Sequence, residues 1–369
     1  MSSTAAAAAV PPARSASAAV RHDVDALVEW ARALLVAAGL RDDIAADVAR
    51  VLVDGDRMGH TTHGLAQLPG YLAELERGTM TRAGYPTLVA SRAAVQTWDG
   101  HRLPGPWLVL RAIDAAIAMA RSCGSGTVVI RRSHHIACLA AYLTRATDIG
   151  MMVVIQSSDP SAASVAPAGG VSPVFTPDPL AAGIPTGGEP ILIDVSASYT
   201  TNGLTVRLHQ AGERLPHPWV QDANGVPTDD PSVLFGDPKG TLLPLGGIDA
   251  GHKGYSLALL IEAMTGGLAG VGRADPSPGW GATVFVQVLD PAAFGGSAAF
   301  ERQTGWIADA CHAATPRPGV GRVRLPGERA LAAMRESRSR GVELHPTILP
   351  SLAPWAAKLG VAIPTPILT

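Results

Sequence analysis

The sequence predicts an α/β protein, because short apolar strands alternate along the chain with helical segments. The clearest unit spans residues 127–155. Residues 127–130 are β-branched and apolar and predict a buried strand, residues 136–147 have helical spacing that ends at Gly150, and residues 151–155 predict a second buried strand. Two strands joined by a helix usually run parallel, so the loops that follow them are predicted to open at one edge of a sheet.

The other elements follow from the spacing of apolar residues. Three amphipathic helices are predicted at the beginning of the chain, over residues 25–39, from Asp42 or Asp43 to about residue 53, and over residues 65–78. From about residue 81 the pattern changes to short β-rich runs. Further strands are predicted at 94–98, 191–194 and 283–289, and further helices at 255–268, 298–313 and 328–340.

The composition excludes several classes of protein. Charged residues are 16% and hydrophobic residues 47% of the positions, which is typical of a folded, enzyme-like chain. Its length of 369 residues is enough for two or three domains. A net charge of −2 provides no electrostatic surface for nucleic acid, and no run approaches the ~20 apolar residues of a membrane span. Cys123, Cys138 and Cys311 predict reduced thiols in a cytoplasmic protein.

His134 and His135 are the first candidate site residues. They follow the strand at 127–130 and precede the helix predicted at 136–147. The positive end of a helix dipole disfavours an imidazolium ion, so a histidine at this position can act as a base. The alternative interpretation is a pair of surface histidines in a loop.

Glycine-rich segments give no Rossmann fingerprint. Gly124-Ser125-Gly126 precedes a strand and Gly270-Val271-Gly272 follows a helix, whereas the fingerprint must follow a strand and open a helix. An ordinary Rossmann domain is therefore not predicted. The Gly-rich segment 246–255 opens a helix and carries Lys253, which predicts an anion site, with a flexible surface loop as the alternative.

His60 and His63 are spaced like metal ligands, but the neighbouring sequence supplies no third ligand. A zinc site needs at least three protein ligands, so no metal is predicted. A histidine or threonine of this segment that binds a substrate carboxylate at the start of the next helix is the favoured interpretation.

Several segments resemble, in the same order, those of the malate/L-lactate dehydrogenase family, which is unrelated to the Rossmann lactate dehydrogenases. Residues 59–69 (GHTTHGLAQLP) resemble its DSHGxxRLP segment, residues 132–135 (RSHH) its NSxH segment, and residues 252–258 (HKGYSLA) its YKGYGLA segment. Three shorter matches are FTPDP at 175–179 to GTNP, GIPTGG at 183–188 with Asp194 to AxPTxxG…D, and DPAAF at 290–294 to DPxxF. Together the matches span about residues 22–345.

The resemblance implies a particular α/β architecture. It implies a mixed-sheet, non-Rossmann NAD(P)-binding domain and a helical domain formed by the N- and C-terminal regions. The expected division is a disordered tail over 1–21 (with a targeting peptide as the alternative), an N-terminal helical region over 22–80, a mixed-sheet cofactor- and substrate-binding region over 81–300, and a C-terminal helical region over 301–369 that packs on the N-terminal one. It also implies a homodimer.

The resemblance further implies roles for single residues. His135, at the last position of the NSxH-like segment, is the implied proton donor and acceptor. The implied substrate-binding positions are Thr62, His63, Gln67 and Arg132. The implied residues around NAD or NADP are Ser157, Ser158, Asp159, Thr176, Asp178, Asp194, Ser196 and Lys253.

Three positions depart from the family pattern. Gln67 stands where many members carry an arginine, and a glutamine supplies only neutral hydrogen bonds to a carboxylate. Arg132 replaces an asparagine and is expected to restore that charge from another direction. Asp178 introduces an acid close to the expected cofactor position.

The expected function is that of an NAD(P)-dependent oxidoreductase that interconverts a small 2-hydroxy acid and its 2-oxo acid, with His135 transferring the proton. Its expected partners are a small-molecule carboxylate and a second copy of the chain, without nucleic acid or membrane. One alternative is an NAD(P)H-dependent reductase of cyclic imine 2-carboxylates. An alternative of another class is a catalytically silent relative that binds the cofactor but has lost its substrate-binding arginine.

Overall fold

The computed structural model describes residues 20–276 and 279–367. Residues 1–19, most of the segment expected to be a disordered tail, lie outside the described residues. Arg21 does not belong to such a tail, because Arg21–His22 forms a strand that pairs with Val342–Glu343. None of the described helices is both long and apolar enough to cross a bilayer.

The described residues form helices and strands in the order that the α/β pattern indicates. The helices are α1 (Val24–Ala37), α2 (Asp42–Arg57), α3 (Leu68–Arg77), α4 (Gly105–Cys123), α5 (Ala140–Thr147), α6 (Asn202–Ala211), α7 (Gly247–Ala250), α8 (His252–Glu262), α9 (Ser297–Ala313), α10 (Glu328–Arg340) and α11 (Ile348–Leu359). The strands are β1 (Arg21–His22), β2 (Thr87–Arg92), β3 (Val95–Asp99), β4 (Ser125–Ser133), β5 (Met152–Ser158), β6 (Pro179–Ile184), β7 (Ile191–Ser196), β8 (Val220–Gln221), β9 (Pro227–Thr228), β10 (Thr241–Leu242), β11 (Ala282–Leu289) and β12 (Val342–Glu343).

The main sheet has seven strands in the order β2-β3-β4-β11-β5-β6-β7. Its β3–β4 pair is parallel, and its other pairs are antiparallel. This confirms the predicted mixed-sheet α/β fold. The two strands of the 127–155 unit, β4 and β5, do run in the same direction, but β11 lies between them and is antiparallel to both. The late strand β11 thus completes the centre of the sheet.

The alternation of side chains along β4 explains how the sheet is covered. Val128 and Ile130 belong to the main core with α4 and α5, whereas Val129 packs on the other face with Phe285 and Met264. A smaller sheet of β10, β8 and β9 has its own apolar cluster, which includes Val220 and residues of α8. The central strands β4, β11 and β5 are therefore buried on both faces, as their continuous apolar runs require, whereas the edge strand β2 is exposed.

Helices from the two ends of the chain pack together beside the sheet. Helix α10 packs on α2, and α11 packs on α1 and α3. The guanidinium of Arg57 in α2 joins the two ends, because it donates to Ser337 Oγ at 2.9 Å and to the Met334 carbonyl at 3.1 Å. This packing holds α3 and the turn before it against the site described below.

Candidate active site

The segment that follows β4 is a strained turn rather than the start of a helix. Helix α5 begins at Ala140, so His134 and His135 do not lie at its N-terminus as the spacing predicted. Arg132 and Ala137, on either side of the histidine pair, have backbone φ values of 51° and 58°, which residues other than glycine rarely adopt. A Cβ atom at Gly105, the first residue of α4, would lie 2.4 Å from the His134 carbonyl oxygen. The start of α4 therefore presses directly on the histidine backbone.

His135 is held by Tyr71 of α3. The Tyr71 hydroxyl donates to the His135 carbonyl at 3.0 Å, and its oxygen lies 3.0 Å from His135 Nδ1. Because the single hydroxyl hydrogen goes to the carbonyl, the phenolic oxygen is free to accept Nδ1–H. The Ala137 N–H donates to Nδ1 at 3.3 Å when the ring proton is on Nε2. When the ring proton is on Nδ1, the ring Nδ1–H donates to the Tyr71 oxygen and Nε2 is the basic nitrogen, which is the tautomer that proton abstraction by Nε2 requires.

The environment of His135 keeps the imidazole neutral. Burial, followed by the nearby His63 and His134, holds the pKa of His135 well below its ordinary value of 6.5. The ring lies 4.8 Å from the Trp280 ring and 6.2 Å from the His63 ring, measured between centroids. A neutral imidazole among aromatic rings can accept a proton from a substrate hydroxyl.

His134, in contrast, is buried and is held by contacts within the protein. Its side chain is fully buried, its Nδ1 accepts the His135 N–H at 2.9 Å, and its Nε2 lies 3.3 Å from Glu74 Oε2. Burial lowers the pKa of His134 to about 4. Burial also acts to raise the pKa of Glu74, but hydrogen bonds from Thr79, Arg77 and His134 outweigh it and hold that pKa at about 2. The two adjacent histidines are thus distinguished by their partners.

This difference predicts how acid affects stability. The folded pKa of His134 lies below 6.5, so as pH falls from about 6.5 to 4 the unfolded chain takes up a proton that the folded chain excludes. The wild type, measured relative to His134→Gln, is therefore expected to lose about 1–2 kcal/mol of unfolding free energy between pH 7 and pH 5. Denaturant unfolding at both pH values checks this, and the comparison cancels the opposite contribution of Asp56 and Asp178, whose pKa values burial raises to about 7. A pH-independent difference would contradict the assignment.

A cavity of about 1180 Å³ opens beside His135. Its wall includes the turn before α3, the segment after β4, the ends of β5 and β7, and helix α6. The structure brings most of the implied site residues to this wall: Thr62, His63, Gln67, His135, Ser157, Ser158, Asp159, Thr176, Asp194 and Ser196. The Gln67 side chain donates to the Thr62 carbonyl at 2.6 Å and so braces the turn.

Three implied residues do not line this cavity. The Arg132 guanidinium pairs with Asp99 (Nε to Oδ1 2.9 Å) and lies away from the cavity wall on which Gln67 stands. Asp178 is fully buried and accepts the Thr176 hydroxyl at 2.6 Å, so it supports a residue of the cavity wall. Lys253 is exposed near the start of α8, outside the wall.

Arg207 of α6 is a wall residue that the sequence patterns did not indicate. Within the described part of the wall it is the sole arginine or lysine. Two of its five N–H donors bind Thr61, at 2.9 Å to the hydroxyl and 2.6 Å to the carbonyl. Its guanidinium forms no ion pair in the described part of the chain. Thr201 at the N-cap and Gly212 after the helix are the signals that predict α6.

The chain is similar to known proteins over most of its length. The sequence model of the malate/L-lactate dehydrogenase family matches residues 22–353. The chain is 34% identical over 348 residues to L-lactate dehydrogenase of Cupriavidus necator. This match covers 91% of this chain and 97% of that protein. It is 33% identical over 338 residues to the (2R)-3-sulfolactate dehydrogenase (NADP(+)) of Chromohalobacter salexigens, with 88% and 94% covered. It is 31% identical over 334 residues to the Delta(1)-pyrroline-2-carboxylate reductase of Ancylobacter novellus, with 87% and 93% covered.

The fold agrees as well. The crystal structure of malate dehydrogenase from Entamoeba histolytica superposes with a TM-score of 0.87 at 23% identity, over 94% of this chain and 100% of that chain. The chain belongs to the malate/L-lactate dehydrogenase family, as the motifs indicated. It is an enzyme of the dehydrogenase and reductase class that this family comprises.

Proposed function

We propose that the protein interconverts a small 2-hydroxy acid and its 2-oxo acid with NAD or NADP. The observation that carries this proposal is His135, whose Nδ1 is bound by Tyr71 and whose ring lies at the wall of a large cavity. Oxidation of a 2-hydroxy acid needs a base for the hydroxyl proton, and reduction needs the same group as an acid. In the oxidation direction, His135 Nε2 accepts the hydroxyl proton, and the Tyr71 oxygen stabilises the resulting imidazolium by accepting a hydrogen bond from its Nδ1–H.

The cavity also fits a dinucleotide. Its volume of about 1180 Å³ is somewhat above the roughly 300–1,000 Å³ of ordinary small-molecule pockets, and Ser157, Ser158, Thr176 and Ser196 lie on its wall. The hydroxyls of Ser158, Thr176 and Ser196 already donate to Glu262, Asp178 and the Ser198 carbonyl, so their oxygens would accept hydrogen bonds from ribose hydroxyls. Bound nicotinamide would supply the hydride acceptor or donor. The chain's own contribution is to orient the substrate and to move the proton at His135.

Arg207 is proposed to bind the substrate carboxylate. It supplies the permanent positive charge of the described cavity wall, and three of its N–H donors are not used by Thr61. A guanidinium with adjacent donors binds a carboxylate through two parallel hydrogen bonds. Its attachment to Thr61 fixes it beside Thr62 and His63, whose ring stacks near that of His135.

The direct experiment is a steady-state assay of the purified protein with NADH and NADPH over a panel of 2-oxo acids. Turnover of at least one small 2-oxo acid is the expected result. Turnover of cyclic imine 2-carboxylates alone would instead favour the reductase activity named for the Ancylobacter novellus relative. Binding of the reduced cofactor with no turnover of either substrate class would favour the catalytically silent relative.

Gln67 provides a test of substrate choice. Replacing Gln67 with arginine adds a second guanidinium to the cavity wall, which can bind a substrate carboxylate. A hydrogen bond to a charged group contributes about 1.5–3 kcal/mol. We expect Gln67→Arg to change the ratio of kcat/KM between dicarboxylic and monocarboxylic 2-oxo acids by about tenfold or more, with cofactor affinity unchanged. An unchanged ratio with altered cofactor affinity would mean that residue 67 contacts the cofactor.

We also propose a cytoplasmic homodimer. The three cysteines are free thiols in the structure, as is typical of a reducing compartment. Large apolar side chains are exposed on two helices, namely Leu259 and Leu260 of α8 and Trp306 and Ile307 of α9, and a second copy would cover them. Light scattering at micromolar concentration is expected to give the mass of two chains, and the mass of one chain would contradict the proposal.

A further inference from the structure

Three side chains of metal-binding type converge on the cavity wall. They are His60, in the turn after α2, Cys138, between β4 and α5, and Asp194 of β7. Each offers one ligand atom, and these atoms all lie within 4.8 Å of one another. All three residues line the cavity, so a bound ion would be accessible to small molecules. They are far apart in sequence, which is why the spacing of His60 and His63 indicated no metal site.

The internal contacts of this cluster are weak enough to be replaced by an ion. Cys138 is 2% exposed, and its thiol lies 3.9 Å from Asp194 Oδ2, a long hydrogen bond even for sulfur. The same carboxylate oxygen accepts the Ala140 N–H at 2.9 Å, which fixes Asp194 against the start of α5. His63 is not a fourth member, because its Nδ1 lies 2.9 Å from Thr62 Oγ1 and its ring stacks on His135.

We propose that His60, Cys138 and Asp194 form a binding site for Zn²⁺. Imidazole nitrogen, thiolate sulfur and carboxylate oxygen are the three ligand types that zinc takes in proteins. Zinc bonds of about 2.0–2.3 Å place tetrahedral ligand atoms somewhat closer together than 4.8 Å, and small side-chain rotations supply that difference. Binding breaks the Cys138 S–H bond, the proton passes to solvent, and the thiolate bonds to the ion. The fourth position faces the cavity and takes a water.

The consequence of this site is inhibition rather than catalysis. His135 transfers the proposed proton without a metal, and it is not among the three ligands. A bound ion would occupy part of the wall on which Asp194 and the neighbouring Ser196 are expected to meet the cofactor. Zinc should therefore compete with the proposed ligands. The binding site itself does not depend on the proposed reaction, so binding and inhibition are tested separately.

The binding test uses cobalt as a spectroscopic substitute for zinc. The background is the full chain with Cys123→Ser and Cys311→Ser, so that Cys138 is the remaining thiol, after removal of metals by chelation. One equivalent of Co²⁺ is expected to give a thiolate-to-cobalt charge-transfer band and the intense visible bands of tetrahedral coordination, and Zn²⁺ is expected to abolish both. Adding Cys138→Ser should remove the charge-transfer band and weaken zinc binding by tenfold or more. Adding His60→Gln should weaken zinc binding as well, whereas His63→Gln, the matched control, should leave it unchanged.

Two results would overturn the site. One is zinc binding of equal affinity with and without Cys138→Ser, which would mean adventitious binding elsewhere. The other is a charge-transfer band that persists in His60→Gln and disappears in His63→Gln. For the inhibitory role, Zn²⁺ is expected to slow oxo-acid reduction in the background protein, and a chelator should restore it. Occupied zinc with an unchanged rate would overturn that role.

Discussion

Replacing His135 with alanine is expected to lower kcat by about 10²–10⁴-fold, the usual contribution of a positioned acid–base group. Tyr71 binds Nδ1 of the His135 ring, and burial keeps the pKa of His135 low. Loss of the ring therefore removes the base without unfolding the site. Steady-state assay in both directions measures the effect. Cofactor affinity, measured by fluorescence titration of NADH or NADPH, is expected to change little.

Two variants make this result specific. His134→Gln is the matched neighbour, because it can still donate to Glu74, and it is expected to retain kcat within a few-fold. Tyr71→Phe removes the hydroxyl that orients His135 and is expected to lower kcat about tenfold while KM stays nearly constant, since a net hydrogen bond contributes about 1 kcal/mol. Activity of His135→Ala within a few-fold of the wild type would exclude this residue as the proton-transfer group.

Replacing Arg207 with glutamine is expected to lower kcat/KM for 2-oxo acids by about 10–100-fold. This corresponds to the loss of about 1.5–3 kcal/mol from hydrogen bonds to a charged carboxylate. The loss should fall mainly on KM, because the carboxylate is bound in both the ground state and the transition state. Arg207→Lys should recover part of the affinity, since an ammonium keeps the charge but loses the paired donors.

Arg132 supplies the matched control for Arg207. Its side chain is 49% exposed and pairs with Asp99, so Arg132→Gln is expected to leave kcat/KM within a few-fold of the wild type. A large loss in Arg132→Gln with little change in Arg207→Gln would reverse the two assignments. Because Arg207 also holds Thr61, circular dichroism of Arg207→Gln should accompany the kinetics to show that the fold is retained.

The elements that could be predicted from sequence are those with a clear apolar period. Helices α1, α9 and α10 and strands β3, β5 and β11 lie within a few residues of their predicted bounds. Helix α4 was missed, because its many buried residues leave no alternating polar stripe to mark it. Helix α6 was missed for the opposite reason, since Thr205 is its sole buried residue. The start of α5 was wrong because Ala137, with φ 58°, interrupts a run whose spacing alone is helical.

The same division applies to the site. His135 was indicated by its position after a strand and by the family motif, both of which are local features. The position of the Arg132 guanidinium off the cavity wall could not be predicted, because its pairing with Asp99 depends on the alignment of β3 beside β4, which local sequence does not encode. Arg207 and the His60–Cys138–Asp194 cluster also depend on contacts between distant segments. Residue type and spacing therefore indicated the class of reaction, whereas tertiary packing determines which charged side chains line the cavity.

The pH dependence of kcat/KM for 2-hydroxy acid oxidation tests the central claim most directly. A neutral His135 is the active base, and burial lowers its pKa, so the rate is expected to remain constant as pH falls through 6.5 and to decrease only below it, through a single ionisation. In His135→Gln that ionisation should be absent from the much lower residual rate. An acid limb at or above pH 6.5, or one that persists unchanged in His135→Gln, would contradict the assignment of His135 as the proton-transfer group.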